Sequence, residues 1–465
     1  MRQSTFVLAL LTSAVLAGCG GDGGGGDQAP RVKFSAQVSF GDSLSDVGTY
    51  AVGGVKALSG GKYTVNDIGA DGNNAAKNWT ELMAAQFGLP APCAAETGLL
   101  SNGFLADFAA AISFSPGCTS YAQGGARVME PVGPANIAYV DAHNSSQLGQ
   151  LTVPVVTQIS NHLAKGGGKF KGDEIVLVLA GGNDLLYQTN QLTLDATAAA
   201  TVAGANQYAT TLIGTLAAGS TVPATALPVI QLAFGTELAN PAHTTTTLTV
   251  AAYTAAIGQG FPVADVPAAV ASAQAAAATA GAAAGAAYAS DPVNLATYVA
   301  AMATAGDQLA ALVTGQIIPN GANYVTVLNL PDASKTPDAL AQSAAVQAWL
   351  SAMATTFNGH LAAGLAGQSK VLLVDAYTFD RDQAINPAPY GFSNVTTPAC
   401  ADVDANNPSS PAKNVLHSSL VCNKNTLIAG ADPHYKFADS VHPTPFTNLL
   451  LARYVSKEML TRGWL

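Results

Sequence analysis

The residues with the clearest capacity for chemistry lie at opposite ends of the chain. Asp439 and His442 are three residues apart in the stretch DSVHPT, just before a predicted terminal helix. At that spacing one turn can bring the carboxylate to the imidazole, fix the ring tautomer and stabilise the imidazolium. Pro443 and Pro445 interrupt the segment and are expected to hold the pair outside the helix. The pair therefore predicts a general base.

Ser43, near the other end of the chain, is the candidate nucleophile for that base. The stretch AQVSFGDSLSD starts with strand-like alternation and ends in a turn that presents this serine. Gly, Asp and Ser are also ordinary turn formers, so the stretch alone does not separate a nucleophile from a strand end. Ligands of parallel sheets bind beyond the carboxyl ends of strands, which is where Ser43 is expected.

Two further stretches could supply donors for an oxyanion. YAQGGARV contains Gly124 and Gly125, whose backbone amides can approach a ligand closely. LAGGNDLL places the amide side chain of Asn183 directly after a buried strand. Taken separately, the first stretch is more typical of a structural turn and the second of a helix N-cap.

Composition excludes several classes of function. Only 10% of the 465 residues are charged and the net charge is −10, so no basic stripe is available for nucleic acid. The chain has no P-loop, no His-Glu-x-x-His and no Cys-x-x-Cys motif, so neither an NTPase nor a zinc site is predicted. We expect no metal and no organic cofactor.

Residues 1–18 predict a signal peptide. A basic N-terminus precedes an apolar run at residues 6–17 that is too short to span a bilayer. The run ends in LAGC, which resembles a bacterial lipoprotein signal and makes Cys19 the predicted lipidation site. A Gly-rich tether at residues 19–31 follows, so we expect an exported protein anchored to a membrane by lipid. Gly20 favours the outer membrane in the enteric sorting pattern, and an ordinary secretory signal is the alternative.

The remaining cysteines predict two disulfides, because an even number in an exported chain is typical of paired cysteines. Three connectivities are possible, and pairing of nearest neighbours would close two local loops of similar length. Two pairs of buried free thiols are the alternative. The four residues are Cys93, Cys118, Cys400 and Cys422.

The fold class predicted from the apolar pattern is α/β. Helical patterns separate five short apolar segments, which implies a parallel sheet covered on both faces. The five predicted strands lie at residues 36–40, 119–122, 175–180, 324–329 and 371–375.

An alanine-rich insertion at about residues 217–306 interrupts this pattern. Between Glu237 and Asp291 the only charged residue is Asp265, and most of the segment consists of small helix formers. We expect a plain inserted helical hairpin, with a lid over the site as the second alternative and low-complexity filler as the third. The stretch LPVIQLAFG, residues 227–235, could add a strand to the insertion.

Four stretches in sequence order resemble the four blocks of the GDSL family of the SGNH-hydrolase superfamily. They are FGDSLSD, YAQGGAR, GGND and DSVHPT, and the match spans most of residues 32–465 outside the insertion. The resemblance implies a three-layer α/β/α hydrolase domain with a five-stranded, mainly parallel sheet of SGNH or flavodoxin-like type. The chain lacks the Gly-x-Ser-x-Gly elbow of α/β-hydrolases, and its insertion is longer than the family leads us to expect.

The resemblance also implies a role for each site residue. Ser43 would be the nucleophile, His442 the general base and acid, and Asp439 the acid that orients His442. The oxyanion hole would consist of the Ser43 amide, the Gly125 amide and the side chain of Asn183. The implied activity is a serine carboxylester hydrolase, an esterase or lipase acting on lipid or short-chain acyl esters.

Several alternatives remain open from the sequence. Asp375, at a predicted strand end, is an alternative acid, and His434, with Asp432 close by, is the nearest rival base. The rival activities are removal of acetyl groups from polysaccharide and acyl transfer to an alcohol, and the rival class is a non-catalytic binding lipoprotein. The expected partners are an acyl ester and, through lipid on Cys19, a membrane; neither nucleic acid nor an obligate protein partner is implied.

Overall fold

The computed structural model describes residues 32–70, 76–142, 148–400, 416 and 418–465. The predicted signal peptide, the lipidation site Cys19 and the Gly-rich tether lie outside these residues. Within the described part of the chain, no helix combines the length and apolarity needed to cross a membrane.

Six strands and thirteen α-helices, together with six short 3-10 or π segments, make up the described elements. The strands are β1 (Gln37–Gly41), β2 (Glu96–Leu99), β3 (Ala110–Phe114), β4 (Ile175–Leu179), β5 (Tyr324–Leu328) and β6 (Val371–Val374). The helices are α1 (Gly53–Ala57), α2 (Trp79–Gln86), α3 (Ile137–Ala142), α4 (Val155–Lys165), α5 (Gly182–Ala218), α6 (Pro223–Leu238), α7 (Thr245–Gly258), α8 (Val266–Ser290), α9 (Pro292–Leu312), α10 (Pro337–Leu340), α11 (Ala344–Gly364), α12 (Ala376–Ile385) and α13 (Pro445–Arg462).

The central sheet contains four parallel strands in the order β1-β4-β5-β6. Successive residues of β4 enter different cores: Val176 and Val178 pack with α4, α9 and α11, whereas Ile175 and Leu177 pack with α2 and α13. Strand side chains alternate between the faces, so each face of the sheet is covered by helices. The α/β class is therefore confirmed, and the layering is compatible with the predicted sandwich.

The prediction of five strands is wrong in one element, residues 119–122. This segment lies beside β1 and makes two isolated parallel bridges, Ser39 with Ser120 and Ala94 with Ser120. The Ser120 backbone also bonds to Cys93 and Ala95. Because the segment divides its hydrogen bonds between β1 and residues 93–95, it forms no continuous ladder with either.

The alanine-rich region is larger and more helical than a hairpin. Helix α5 has 37 residues, about 55 Å, whereas β4 has five, so the helix must extend beyond the sheet. Beyond its first turns it pairs with α8, where Gly204 and Gly281 let the two backbones approach. The predicted insertion limits at residues 217 and 306 fall inside α5 and α9.

The predicted extra strand at residues 227–235 is wrong, because this stretch belongs to α6. Ala226, Ile230 and Phe234 are buried at a spacing of four residues and pack in a separate core built from α5 to α8. Pro223 begins the helix, where its missing N–H is tolerated. The spacing of these buried residues is the helical signal that the short apolar run concealed.

The two predicted disulfides are present, and of the three possible connectivities they have the nearest-neighbour pairing. Cys93 is bonded to Cys118 and Cys400 to Cys422, with Cα–Cα distances of 5.1 and 5.9 Å. The second disulfide packs with Ala438, one residue from the predicted acid Asp439.

Candidate active site

The turn that presents Ser43 begins where β1 ends, at Gly41. This glycine has φ +147°, and a Cβ here would overlap the Leu179 carbonyl oxygen of β4. The side chain of Gln158 on α4 holds the peptide groups on both sides of this glycine, since it accepts from the Gly41 N–H and donates to the Gly41 carbonyl, both at 2.8 Å. Asp42 then accepts the Leu44 N–H at 3.1 Å. The backbone on both sides of Ser43 is therefore fixed.

Ser43, His442 and Asp439 lie in one hydrogen-bonded line. The Nε2 atom of His442 is 2.9 Å from Ser43 Oγ, across 399 residues of sequence. The Nδ1 atom is 2.8 Å from Asp439 Oδ2 and 3.0 Å from Oδ1. A proton on Nδ1 satisfies the carboxylate and leaves Nε2 able to accept the serine proton.

Asp439 is buried but held as a carboxylate. Its Oδ1 accepts the N–H groups of Val441 and His442 at 2.9 and 2.7 Å, and its Oδ2 accepts the Ser419 N–H at 2.6 Å. Burial acts to raise the pKa of this carboxyl, but the His442 charge and these donors outweigh it and hold the pKa well below its usual range. Asp439 is therefore ionised wherever His442 can act as a base.

A tight hairpin carries Asp439 and His442. Phe437 and Pro443 form an antiparallel bridge, and the Ala438 N–H donates to the His442 carbonyl at 2.8 Å. The ring of Tyr63 lies against the imidazole, with centroids 4.7 Å apart. The prediction that Asp439 and His442 meet outside the terminal helix is confirmed, because α13 begins only at Pro445.

The three predicted oxyanion donors occupy three segments, the turn after β1, the turn that contains Gly125 and the start of α5. Asn183 lies in the first turn of α5 and donates from Nδ2 to the Ala126 carbonyl at 3.0 Å, which leaves its second amide hydrogen for a ligand. The Gly124 N–H donates to Asp46, whereas the amides of Gly125 and Ser43 bond to no protein atom among the described residues. Ser43 and Asn183 line the same cleft; Gly125 is not in its lining.

Two buried acids beside Ser43 were missed by the sequence analysis. Burial raises the pKa of Asp42 to about 7, although the Leu44 N–H and His442 lower it in part. Burial also raises the pKa of Asp46 to about 6, against the N–H groups of Thr49, Gly48 and Gly124 that it accepts. The sequence signal for Asp42 was only its place in the turn; nothing marked Asp46 as the residue that anchors Gly124.

A buried ion pair connects two of the three donor segments. Arg127 donates from Nε to Asp184 Oδ1 at 3.0 Å, and the Val128 N–H donates to Asp184 Oδ2 at the same distance. The Arg127 guanidinium also lies over the ring of Tyr187, 4.1 Å from its centroid. These contacts hold the Gly125 turn against the start of α5, which carries Asn183.

An apolar cleft of about 160 Å³ opens beside Ser43 and His442. Its walls are mainly aliphatic and aromatic, including Leu44, Leu185, Leu186, Leu330, Leu350 and Phe379. Its charged side chains are neutralised in part by ion pairs, Asp380 with the fully buried Lys436 and Asp332 with Arg381. No residue from 217 to 306 lines it, so the alanine-rich region does not form a lid here.

The rival residues occupy other positions. Asp375 caps α12, accepting the Thr378 N–H and the Asn329 side chain, and makes no bond to a histidine among the described residues. His434 stacks on Phe446, outside the cleft lining. Neither is in contact with Ser43.

Neither the scan of the sequence against protein-family models nor the search of curated proteins found a match. The resemblance to the GDSL family therefore rests on the four sequence motifs. Within the described ranges, no group of three or more His, Cys, Asp or Glu side chains could hold a metal ion.

Proposed function

We propose that this protein is a serine carboxylester hydrolase of the GDSL type, with Ser43, His442 and Asp439 as its catalytic residues. The observation that carries the proposal is the line of short contacts from Ser43 Oγ through the His442 imidazole to Asp439. Its three groups are a nucleophile, an imidazole that can accept the nucleophile's proton when its own proton is on Nδ1, and an ionised acid, which is the combination that serine acyl transfer uses.

In the proposed reaction, Ser43 Oγ attacks the ester carbonyl carbon while its proton passes to His442 Nε2. The resulting oxyanion accepts hydrogen bonds from the Ser43 and Gly125 amides and from the Asn183 side chain. The leaving alkoxide takes the proton from His442 as its bond to the acyl carbon breaks. A water molecule then attacks the acyl-enzyme and gives a proton to His442, which passes it to Ser43 Oγ as the bond between Oγ and the acyl carbon breaks and the acid is released.

The apolar cleft supports an acyl chain, rather than a charged group, as the part of the substrate that is bound. Burial of an apolar chain against aliphatic walls contributes about 25 cal/mol of favourable free energy for each Å² of apolar surface removed from water. Lipid or short-chain acyl esters fit such a cleft, and the proposed lipid on Cys19 would keep the enzyme near a membrane. Deacetylation of polysaccharide and acyl transfer use the same catalytic groups.

Labelling with a fluorophosphonate tests the proposal directly. Wild-type protein and Ser160→Ala, which changes an exposed serine, should both be labelled, and Ser43→Ala should not. Folded wild-type protein that takes no label would refute the hydrolase and favour a binding role. Release of acid from aryl esters, phospholipid and acetylated glycan, with and without an added alcohol, then separates the rival activities.

A further inference from the structure

Asp439 is held from two sides by segments that one disulfide joins. On one side, the Ser419 N–H donates to Asp439 Oδ2 at 2.6 Å. On the other, the Cys400 N–H donates at 3.0 Å to the carbonyl of Ala438, the residue before the acid. Cys400 is bonded to Cys422, whose Sγ lies 4.0 Å from the same Ala438 carbonyl oxygen. The disulfide therefore couples the donor segment to the loop that carries the acid.

The contribution of Ser419 is its backbone and not its hydroxyl. The residue is fully buried, and its Oγ has no hydrogen-bond partner among the described residues. It begins a short 3-10 helix, Ser419–Val421, in which the Cys422 N–H donates to the Ser419 carbonyl at 3.0 Å. Cys422 thus holds the peptide that follows Ser419, so a movement of Cys422 would move the donor.

We propose that the Ser419 N–H, held in place by the Cys400–Cys422 disulfide, is the positioning donor that fixes Asp439 for catalysis. The inference rests on the proposed function and adds to it a residue that acts through the acid. Oδ2 is the oxygen nearer to His442 Nδ1, so the Ser419 donor sets the direction in which the carboxylate meets the ring. Without this donor the carboxylate is free to turn, and the imidazole loses its fixed orientation toward Ser43.

A substitution pair at Ser419 isolates the N–H. Ser419→Pro removes the donor at the first position of a helix, where proline is favoured, and the extended backbone of Ser418 tolerates a following proline. Ser419→Ala keeps the donor and deletes only the unpartnered hydroxyl. We expect kcat for a soluble aryl ester to fall roughly tenfold to a hundredfold in the proline variant, with KM nearly unchanged, and no change in the alanine variant.

The disulfide provides a second pair of variants with a matched control. Cys400→Ser with Cys422→Ser should lower kcat in the same way, whereas Cys93→Ser with Cys118→Ser should not. In both defective variants, the low-field proton resonance of His442 Nδ1–H, identified by its loss in His442→Gln, should shift or broaden. A merely structural role would lower stability without moving this resonance in the folded protein.

Two results would overturn the proposal: full kcat in folded Ser419→Pro, or an unchanged Nδ1–H resonance in that variant. If the proline variant does not fold, the cysteine variants decide, and equal kcat in the two disulfide variants then rejects the proposal. A wild-type protein without esterase activity would refute the proposed function instead. The resonance would still report whether Ser419 positions Asp439.

Discussion

The side-chain amide of Asn183 donates to the backbone carbonyl of Ala126 at 3.0 Å, which joins the start of α5 to the turn that contains Gly125. This bond occupies one of the two hydrogens on Nδ2 and fixes the plane of the amide. The other hydrogen keeps a defined direction in a buried site, as an oxyanion donor must. The relationship makes Asn183 both a link between two segments and a candidate donor.

Replacing Asn183 therefore has a specific expected effect. In Asn183→Ala, kcat for an aryl ester should fall roughly 10²- to 10³-fold while KM changes little, because the donor acts on the developing charge. Thr193→Ala, at an exposed position on the same helix, is the control. Steady-state kinetics on both variants, with circular dichroism to verify folding, measure the difference. Equal rates in the two variants would remove Asn183 from the oxyanion hole.

Parallel substitutions of Asp439 and Asp375 test which of the two acids orients His442. Asp439→Asn should lower kcat by roughly a thousandfold or more, because the amide no longer stabilises the imidazolium and disturbs the ring tautomer. Asp375→Asn should leave kcat unchanged and cost only about 1 kcal/mol through a weakened helix cap. The rates at saturating ester decide between them. A large loss of kcat in the Asp375 variant would revive the alternative acid.

The proposed catalytic residues could be predicted in part from their local sequence. Ser43 follows a buried strand, and Asp439 and His442 lie within one turn, but only the resemblance of four motifs to the GDSL blocks joined these signals into one predicted site. The even number of cysteines predicted two disulfides, whereas their connectivity stayed open among three possibilities. These signals are local, but the contact that joins Ser43 to His442 spans 399 residues of sequence.

The elements that were missed depend on contacts between distant segments. Residues 119–122 have the composition of a strand, but their backbone bonds are divided between β1 and residues 93–95. Residues 227–235 are helical because Ile230 and Phe234 pack against α5 and α7, which a short apolar run does not reveal. The pair formed by Arg127 and Asp184 also spans two motifs, and neither motif alone predicts it.

The raised pKa of Asp42 predicts a stability that depends on pH. Burial raises this pKa to about 7, so between about pH 4 and 7 the folded protein keeps a proton that the unfolded chain has released. The contribution of Asp42 is therefore complete below about pH 4 and is lost as the pH rises through 7, a change on the order of 4 kcal/mol.

Asp42→Asn removes this titration while keeping the shape of the side chain. Relative to the variant, the wild-type protein should lose stability as the pH rises from 4 to 8, as measured by urea unfolding at each pH. Asp265→Asn, at an exposed position, should follow the wild-type curve. Parallel curves for wild type and Asp42→Asn would show that Asp42 ionises normally.

The long helices of the alanine-rich region form a core of their own, and this predicts which deletion the protein tolerates. The core built from Tyr208 to Ala277 shares no buried residue with the core around the sheet. In contrast, Tyr298 and Met302 of α9 belong to the main core, and Tyr298 donates to Asp195 of α5 at 2.7 Å. Only the part of the region between Gly204 and Gly281, which lies on the far side of their contact from the sheet, can therefore be removed without disturbing the main core.

Deletion of residues 205–280, with Gly204 joined to Gly281 by a short Gly-Ser loop, should give a folded protein. The only part of α5 that lines the cleft is its first turns, such as Leu185 and Leu186, which this deletion keeps. Activity on a soluble aryl ester should therefore stay within about twofold of wild type. Deletion of residues 217–306 should abolish folding, because it removes part of the main core. Thermal unfolding and ester hydrolysis on both deletions measure this, and a folded but inactive 205–280 deletion would show that the distal helices help to build the site.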